Sequence, residues 1–115
     1  MKFIELIVAK DFSKTPGPRF VREGDFSGEE FRDRILASFV LKALEDNKKL
    51  RVILDGTAGY ATSFLEESFG GLIRVKDIDY NDISTILEIV SKEDESLFDD
   101  IHKYLKEAKD EKFRN

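Results

Sequence analysis

Apolar residues occur in short runs and at helical spacing, a pattern that predicts strands alternating with helices. Phe3 to Val8 is an apolar run interrupted by one acid, Glu5. Leu50 to Leu54 is a second run, rich in branched residues, and is typical of a strand buried on both faces. Arg19 to Arg22 indicates a short strand antiparallel to the first, and Ile83 to Val90 indicates a fourth strand.

Three helices are predicted from apolar residues that recur every three or four positions. The first begins at the capping box Ser27-Gly28-Glu29-Glu30, and the second begins near Ser63, which Glu66 follows by three positions. The third helix places Leu97, Ile101, Tyr104, Leu105 and Ala108 on one face. Gly70-Gly71 is expected either to end the second helix early or to allow close packing.

The predicted order of elements is β-β-α-β-α-β-α. A hairpin followed by β-α units gives an α/β fold in which helices pack on a mixed, four-stranded sheet. The length of 115 residues fits one domain, residues 1–115, with the last five residues expected to fray.

Composition narrows the possible chemistry. Charged residues make up 37% of the chain and the net charge is -5, which disfavours nucleic acid as a partner because phosphates attract basic patches. There is no cysteine and one histidine, His102, so disulfides, thiol chemistry and Cys- or His-rich metal sites are excluded. No apolar run is long enough to span a membrane, and Glu5 comes too early for a secretory signal. We therefore expect a cytoplasmic protein without metal or cofactor.

The strand-loop-helix corner after Leu54 carries most of the candidate functional residues. In open α/β sheets, sites form where strands lead into helices. The candidates for partner contacts are Asp55, Thr57, Gly59 and Tyr60 in this corner, with Thr15, Arg19 and Arg22 from the preceding hairpin. No spacing singles out a pair of carboxylates or a nucleophile with its base, so no catalytic residue is predicted.

Ser63 and Thr62 stand at the predicted start of the helix that follows this loop. Either hydroxyl could be a phospho-acceptor, since a helix N-terminus stabilises added negative charge, or an ordinary N-cap. The loop Gly56-Thr57-Ala58-Gly59 lacks both the Gly-Lys-Ser/Thr ending and the G-x-G-x-x-G pattern of phosphate-binding loops. Its glycines are equally explained by backbone turns.

Four segments together resemble the STAS-like domain family of unknown function. They are Thr15-Pro16-Gly17-Pro18-Arg19, Ser27-Gly28-Glu29-Glu30-Phe31-Arg32, Leu54-Asp55-Gly56 and Ser63-Phe64-Leu65-Glu66-Glu67-Ser68-Phe69-Gly70-Gly71-Leu72. The resemblance covers roughly residues 3–75. It extends to true STAS domains, the anti-sigma-factor antagonists, which are βαβ proteins without enzymatic activity.

In those antagonists a GHKL-type kinase phosphorylates a serine at the start of the helix after the third strand, a position that corresponds here to Thr62 or Ser63. The resemblance also implies a histidine-kinase-like ATPase as partner, because such ATPases are often encoded beside family members or fused to them. This chain has Ala61-Thr62-Ser63-Phe64 in place of the antagonists' Asp-Ser-Ser-Gly, and it lacks their last strand and helix.

Three functions follow as hypotheses. The first is a non-enzymatic signalling module that binds a regulatory protein through residues 55–66 and is switched by Ser or Thr phosphorylation. The second is a small nucleotide- or phosphate-binding enzyme that uses the same corner. The third is a subunit that neutralises its partner in a defence or toxin–antitoxin system.

Overall fold

Three parallel strands form the sheet in the computed structural model, which describes residues 2–114. They are β1 (Phe3–Ile7), β2 (Lys49–Ile53) and β3 (Leu87–Val90), arranged in the order β1-β2-β3. Leu6 lies opposite Val52, which in turn lies opposite Ile89. The Leu50 to Leu54 run forms the central strand, but within residues 2–114 the sheet has three strands, all parallel, and not the predicted four in a mixed arrangement.

Helices fill the connections between the strands. They are α1 (Val8–Asp11), α2 (Gly28–Phe31, Arg32–Leu36 and Ala37–Glu45 in succession), α3 (Thr62–Leu65, Glu66–Gly70 and Gly71–Arg74 in succession), α4 (Tyr80–Ile86) and α5 (Ser96–Lys112). The middle segments of α2 and α3 are π-helical. Because α5 continues through Lys112, residues 111 and 112 are helical where the sequence predicts fraying.

The predicted strand at Arg19 to Arg22 is absent. Val21–Glu23 forms a single 3₁₀ turn instead. The backbone of this segment bonds to the start of α2: the Pro18 carbonyl accepts from Gly28 N at 2.9 Å and the Arg19 carbonyl accepts from Glu29 N at 3.0 Å. These carbonyls satisfy N–H groups that every helix leaves free in its first turn, so they do not pair with β1.

The predicted strand at Ile83 to Val90 divides between two elements. Asp79 caps α4 by accepting hydrogen bonds from Asn81 N at 2.8 Å and Asp82 N at 3.2 Å. This cap favours helix over the first half of the apolar run. Only Leu87–Val90 remains extended and pairs with β2.

The sheet buries one face only. Leu50 and Val52 of β2 are fully buried under the helices, whereas the alternating residues Lys49, Arg51 and Ile53 keep part of their surface accessible. The expectation that this strand is buried on both faces is therefore wrong. Both helical connections cover the same side of the sheet, which leaves the other side open.

The core lies between the buried face of the sheet and the helices. Phe31 of α2 and Phe64 of α3 are fully buried and stack with their ring centroids 5.7 Å apart. Phe12, which follows α1, packs 5.1 Å from Phe31. The start of α3 is thus held against both α2 and the segment after β1, and this contact sets the position of the corner after β2.

Candidate functional site

The corner, residues 55–66, lies at the carboxyl end of β2 beside the loop that follows β3. The two loops are joined by reciprocal hydrogen bonds between backbone and carboxylates. Gly56 N donates to Glu93 Oε1 at 2.6 Å, and Glu93 N donates to Asp55 Oδ1 at 2.8 Å. Gly56 has a φ of 90° and Gly59 a φ of 120°, values that L side chains rarely adopt. The loop conformation therefore depends on glycine at both positions.

A cleft of about 240 Å³ opens between these loops. Its lining residues are Leu54, Asp55, Thr57, Ala58, Gly59, Tyr60, Ser91, Glu93, Asp94 and Leu97. Three of them, Asp55, Glu93 and Asp94, carry carboxylates, and none of these lining residues is basic. A cationic or hydrogen-bond-donating group suits such a cleft, whereas a phosphate would meet like charge.

Tyr60 forms a wall of the cleft, and contacts within the fold hold its side chain in place. Its hydroxyl donates to the Leu54 carbonyl at 2.8 Å, and its ring packs 5.8 Å from that of Phe64. Burial, reinforced by the charges of Asp55 and Glu93, raises the pKa of the Tyr60 hydroxyl from 10.0 to about 12. The phenol therefore stays neutral and keeps its hydrogen bond over the physiological pH range.

Thr62 and Ser63 lie in the first turn of α3, but neither is its N-cap. Ala61 occupies the cap position, with ψ of 144°, and no side chain caps this helix. The prediction of a capping box between Ser63 and Glu66 is wrong, because Glu66 turns toward two arginines instead. Thr62 is exposed and Ser63 is half-buried, so the hydroxyl of Thr62 is the more accessible.

The three candidates from the loop before α2 lie in different surroundings. Thr15 belongs to a turn next to the corner, where Ala58 N donates to the neighbouring Lys14 carbonyl at 2.8 Å. Arg22 is exposed, with its guanidinium 4.7 Å from the centroid of the Phe20 ring. Arg19 is occupied by ion pairs with Glu66 at 2.5 Å and Glu67 at 3.1 Å. Of the three, Arg19 therefore contacts the corner directly through Glu66, and Thr15 lies in the turn whose Lys14 carbonyl bonds to the loop of the corner.

Sequence reasoning missed a buried ion pair between α2 and α3. Arg32 is 3% exposed and Glu67 is 5% exposed, and Arg32 Nη1 lies 2.5 Å from Glu67 Oε2. Arg32 Nε also bonds to Asp33 at 2.9 Å. Charges this deeply buried persist only when they are paired. We call this contact, centred on Arg32 and Glu67, the α2–α3 seam.

Two glycines let the helices approach closely at the seam. A Cβ on Gly28 would lie 2.5 Å from the Phe64 carbonyl oxygen, and a Cβ on Gly71 would lie 2.6 Å from Arg32 Nη1. Gly28 precedes Arg32 by four residues and Gly71 follows Glu67 by four, so each glycine shares a helix face with a buried charge. This spacing is the signal in the sequence that could have revealed the seam. Of the two alternatives predicted for Gly70-Gly71, close packing is the one observed at Gly71, and the helix continues to Arg74.

Glu66 extends the ion pairs to the protein surface. Its carboxylate bonds to Arg19 at 2.5 Å and to Arg74 at 2.7 Å. Burial alone would raise the pKa of Glu66, but the hydrogen bonds from Arg74 and Arg19 outweigh burial and hold the pKa below its ordinary value of 4.5. Through its bond to Arg19, Glu66 of α3 thus also holds the loop that precedes α2.

The fold and this site define an α/β domain with a parallel sheet and a partly exposed loop at its carboxyl edge. Residues 27–97 match the model of the STAS-like domain of unknown function (DUF4325). The match spans more than half of the chain, so the protein belongs to this family. The matched region contains the segments Ser27 to Arg32 and Ser63 to Leu72, which form the seam. It does not contain the segment Thr15 to Arg19.

Other comparisons add no relative. No curated protein and no solved structure matches the chain. Within residues 2–114, no helix is both long and apolar enough to cross a membrane. In the same part of the chain, no three His, Cys, Asp or Glu side chains are grouped so that they could hold a metal ion.

Proposed function

We propose that this protein is a non-enzymatic signalling module that binds a regulatory protein partner through residues 55–66. The observation that carries the proposal is the cleft of about 240 Å³ beside an exposed loop, with three carboxylates and no basic side chain among its lining residues. Gly56, Ala58 and Gly59 are exposed and lie close to the cleft. A partner could reach both the backbone of the loop and the carboxylates beside it.

Charge favours a partner with a basic surface at the point of contact. Opposite charges across an interface speed association and discriminate against wrong partners, and juxtaposed like charges cost several kcal/mol. The same carboxylates count against the alternative of a nucleotide- or phosphate-binding enzyme, because a phosphate would enter a cleft of its own sign. The family resemblance makes a GHKL-type, histidine-kinase-like ATPase the first partner to test.

Phosphorylation of Thr62 or Ser63 would act as a switch on this surface. Thr62 is exposed in the first turn of α3, where the helix dipole favours negative charge. A phosphoryl group adds nearly two negative charges next to the acidic cleft. Against a basic partner surface, this addition is expected to strengthen binding.

The test uses calorimetry to measure the affinity of this protein for a GHKL-type ATPase encoded by a neighbouring gene. Ala58→Arg places a cation at the cleft without removing a side-chain hydrogen bond, since Ala58 is exposed and uses only its backbone N–H. We expect at least about a tenfold loss of affinity, the size of a 1.4 kcal/mol change. Ser38→Arg is the matched control on the exposed side of α2. Equal affinities of the two variants would contradict the proposal.

The switch is tested with the same ATPase and ATP. Mass spectrometry should find phosphate on Thr62 or Ser63, and Thr62→Asp should bind more tightly than Thr62→Ala. Absence of phosphate together with equal affinities would leave a constitutive binding module and exclude the switch.

A further inference from the structure

The sheet ends at β1 in a strand that pairs on one side, since the strand order in the described part of the chain is β1-β2-β3. Lys49 N donates to the Lys2 carbonyl at 3.0 Å, and successive residues of a strand direct their N–H and C=O groups to alternate sides. Phe3 and Glu5 therefore direct both groups away from β2. We call this outer side of β1 the β1 edge. Such a row of backbone groups is a template for a further strand.

The free part of the β1 edge is short and accessible. Ile7 N also points outward, but it donates to Asp11 Oδ2 at 2.8 Å, so α1 occupies the carboxyl end of the edge. No hydrogen bond among the described residues takes up the outward groups of Phe3 and Glu5. Phe3 is 42% exposed and the Glu5 side chain 51%. An added strand can therefore reach β1 at these two residues.

The opposite edge of the sheet, at β3, offers less to an added strand. β3 has four residues where β1 has five. The N–H of Leu87, its first residue, already donates to the Ile83 carbonyl at the end of α4. The β1 edge is therefore the side at which the sheet can be extended.

The free groups select how a second strand pairs with β1. In an antiparallel pair, residues that exchange both backbone hydrogen bonds alternate with residues that exchange none. When Phe3 of one copy lies opposite Glu5 of another, both residues of both copies use their N–H and C=O groups, and Ile4 lies opposite Ile4 on a two-fold axis. Sliding the strands by two residues would place Glu5 opposite Glu5, which is unfavourable, and would require Ile7 N, which Asp11 already holds.

We propose that the β1 edge pairs antiparallel with the β1 edge of a second copy of this chain, with Ile4 on the two-fold axis. A second copy fits because it brings the same free groups in the complementary order. Glu5, the charged residue of β1, then lies opposite Phe3 and meets no like charge. The contact covers few residues, so the dimer belongs to the weak, transient class. The β1 edge shares no residue with the acidic cleft, and its use does not depend on the function proposed for the corner.

The first experiment traps the dimer through a disulfide, which the absence of cysteine from the chain makes specific. Opposed Cα atoms that exchange no hydrogen bonds lie about 4.5 Å apart, within the range of about 4.4–6.8 Å that disulfides need. With a mild oxidant, Ile4→Cys should form a linked dimer at least about tenfold faster than Lys2→Cys, because pairing raises the effective concentration of the two thiols. Lys2→Cys is the control, since Lys2 is exposed but lies opposite Leu6 in this register. Equal rates would overturn the proposal.

The second experiment follows NMR spectra of the isotope-labelled protein over a range of concentrations, where the amide shifts of Phe3 and Glu5 should change. Glu5→Pro removes an outward N–H without removing a bond to β2, and proline is tolerated in edge strands. It should abolish the concentration dependence, whereas Glu5→Ala keeps the N–H and should retain it. Phe3→Pro, at the first residue of β1, with Phe3→Ala as its control, replaces this pair if Glu5→Pro does not fold. Wild-type shifts that are independent of concentration, or an equal dependence in the proline and alanine variants, would overturn the proposal.

Discussion

The α2–α3 seam and the acidic cleft at the corner both contain acids and lie next to glycines, yet they use these residues in opposite ways. At the seam, Arg32 and Glu67 are buried and paired with each other. At the corner, Asp55, Glu93 and Asp94 line an open cleft in which no lining residue is basic. The seam neutralises its charges within the fold, whereas the carboxylates of the cleft accept hydrogen bonds from backbone N–H groups and have no basic partner among the lining residues.

The glycines differ in the same way. Gly28 allows close approach, since its missing Cβ leaves room for the Phe64 carbonyl, and its backbone is helical. At Gly59 a Cβ would meet no heavy atom within 4 Å, so glycine is required there for its φ of 120° and not for space. In this protein, glycine thus serves helix packing in one place and loop shape in another. Spacing to a charged residue on the same helix face distinguishes the two.

The largest expected effect comes from removing one partner of the seam. Glu67→Ala should reduce the free energy of unfolding by about 3–5 kcal/mol, because it leaves the buried Arg32 without its main counter-charge. Glu93→Ala at the corner should cost about 1 kcal/mol, the value of one exposed hydrogen bond to Gly56 N. Chemical denaturation measures both. Equal losses would remove the distinction between a structural seam and an open cleft.

A smaller effect is expected from filling the space at Gly28. Gly28→Ala should destabilise the protein by about 1–3 kcal/mol, because the new methyl group would meet the Phe64 backbone and force α2 and α3 apart. Ser38→Ala, at an exposed position of the same helix, is the control and should lie within about 0.5 kcal/mol of the wild type. A Gly28→Ala variant as stable as the wild type would show that α2 and α3 can move apart without a loss of protein stability.

A third prediction compares two serines at helix starts. The Ser27 hydroxyl is buried and accepts a hydrogen bond from Glu30 N at 3.0 Å, so Ser27→Ala should cost about 1 kcal/mol. Ser63 caps nothing, and Ser63→Ala should change stability by less than about 0.5 kcal/mol. Thermal or denaturant unfolding of the two variants distinguishes them. A loss at Ser63 as large as that at Ser27 would show that its hydroxyl has a structural role.

Local patterns in the sequence predicted the elements whose signals agree with their tertiary surroundings. The strand at Leu50 to Leu54, the helix that begins at Ser27 and the apolar face of α5 were all predicted correctly. The errors occurred where a distant partner determined the outcome. Arg19 to Arg22 has the composition of a strand, but its carbonyls bond to the start of α2. Likewise, Glu66 follows Ser63 at capping-box spacing, but Arg19 and Arg74 attract its carboxylate.

The candidate site was predicted in its location and not in its chemistry. The turn at Asp55 and the glycines of the loop placed it at the end of β2. The loop after β3 could not be assigned to the same cleft from the sequence. The apolar run Ile83 to Val90 was predicted to be a strand throughout, but its first half is helical. The contribution of Glu93 and Asp94 depends on that loop lying beside Gly56, a contact between residues 37 positions apart in the chain.

The smallest expected effect is the loss of protein stability at low pH that comes from protonation of Glu66, at the exposed end of the seam. Arg74 and Arg19 hold the pKa of Glu66 below 4.5, the value expected for the unfolded chain, even though burial acts in the opposite direction. A carboxyl whose pKa is lower in the folded state binds protons more readily when the chain unfolds. Its contribution to stability is therefore complete above pH 4.5 and is lost as the pH falls below that value toward the pKa of the folded state.

This contribution should be small, since the three side chains retain 24–30% of their exposure and water screens their charges. Denaturant unfolding of the wild type and Glu66→Gln at several pH values measures it. The difference in stability between them should be constant above pH 4.5 and shrink below it. Ser38→Ala, which changes an exposed and uncharged side chain of α2, is the control and should show the same pH dependence as the wild type. An identical pH dependence of the wild type and Glu66→Gln would show that the arginines do not stabilise the charged form of Glu66.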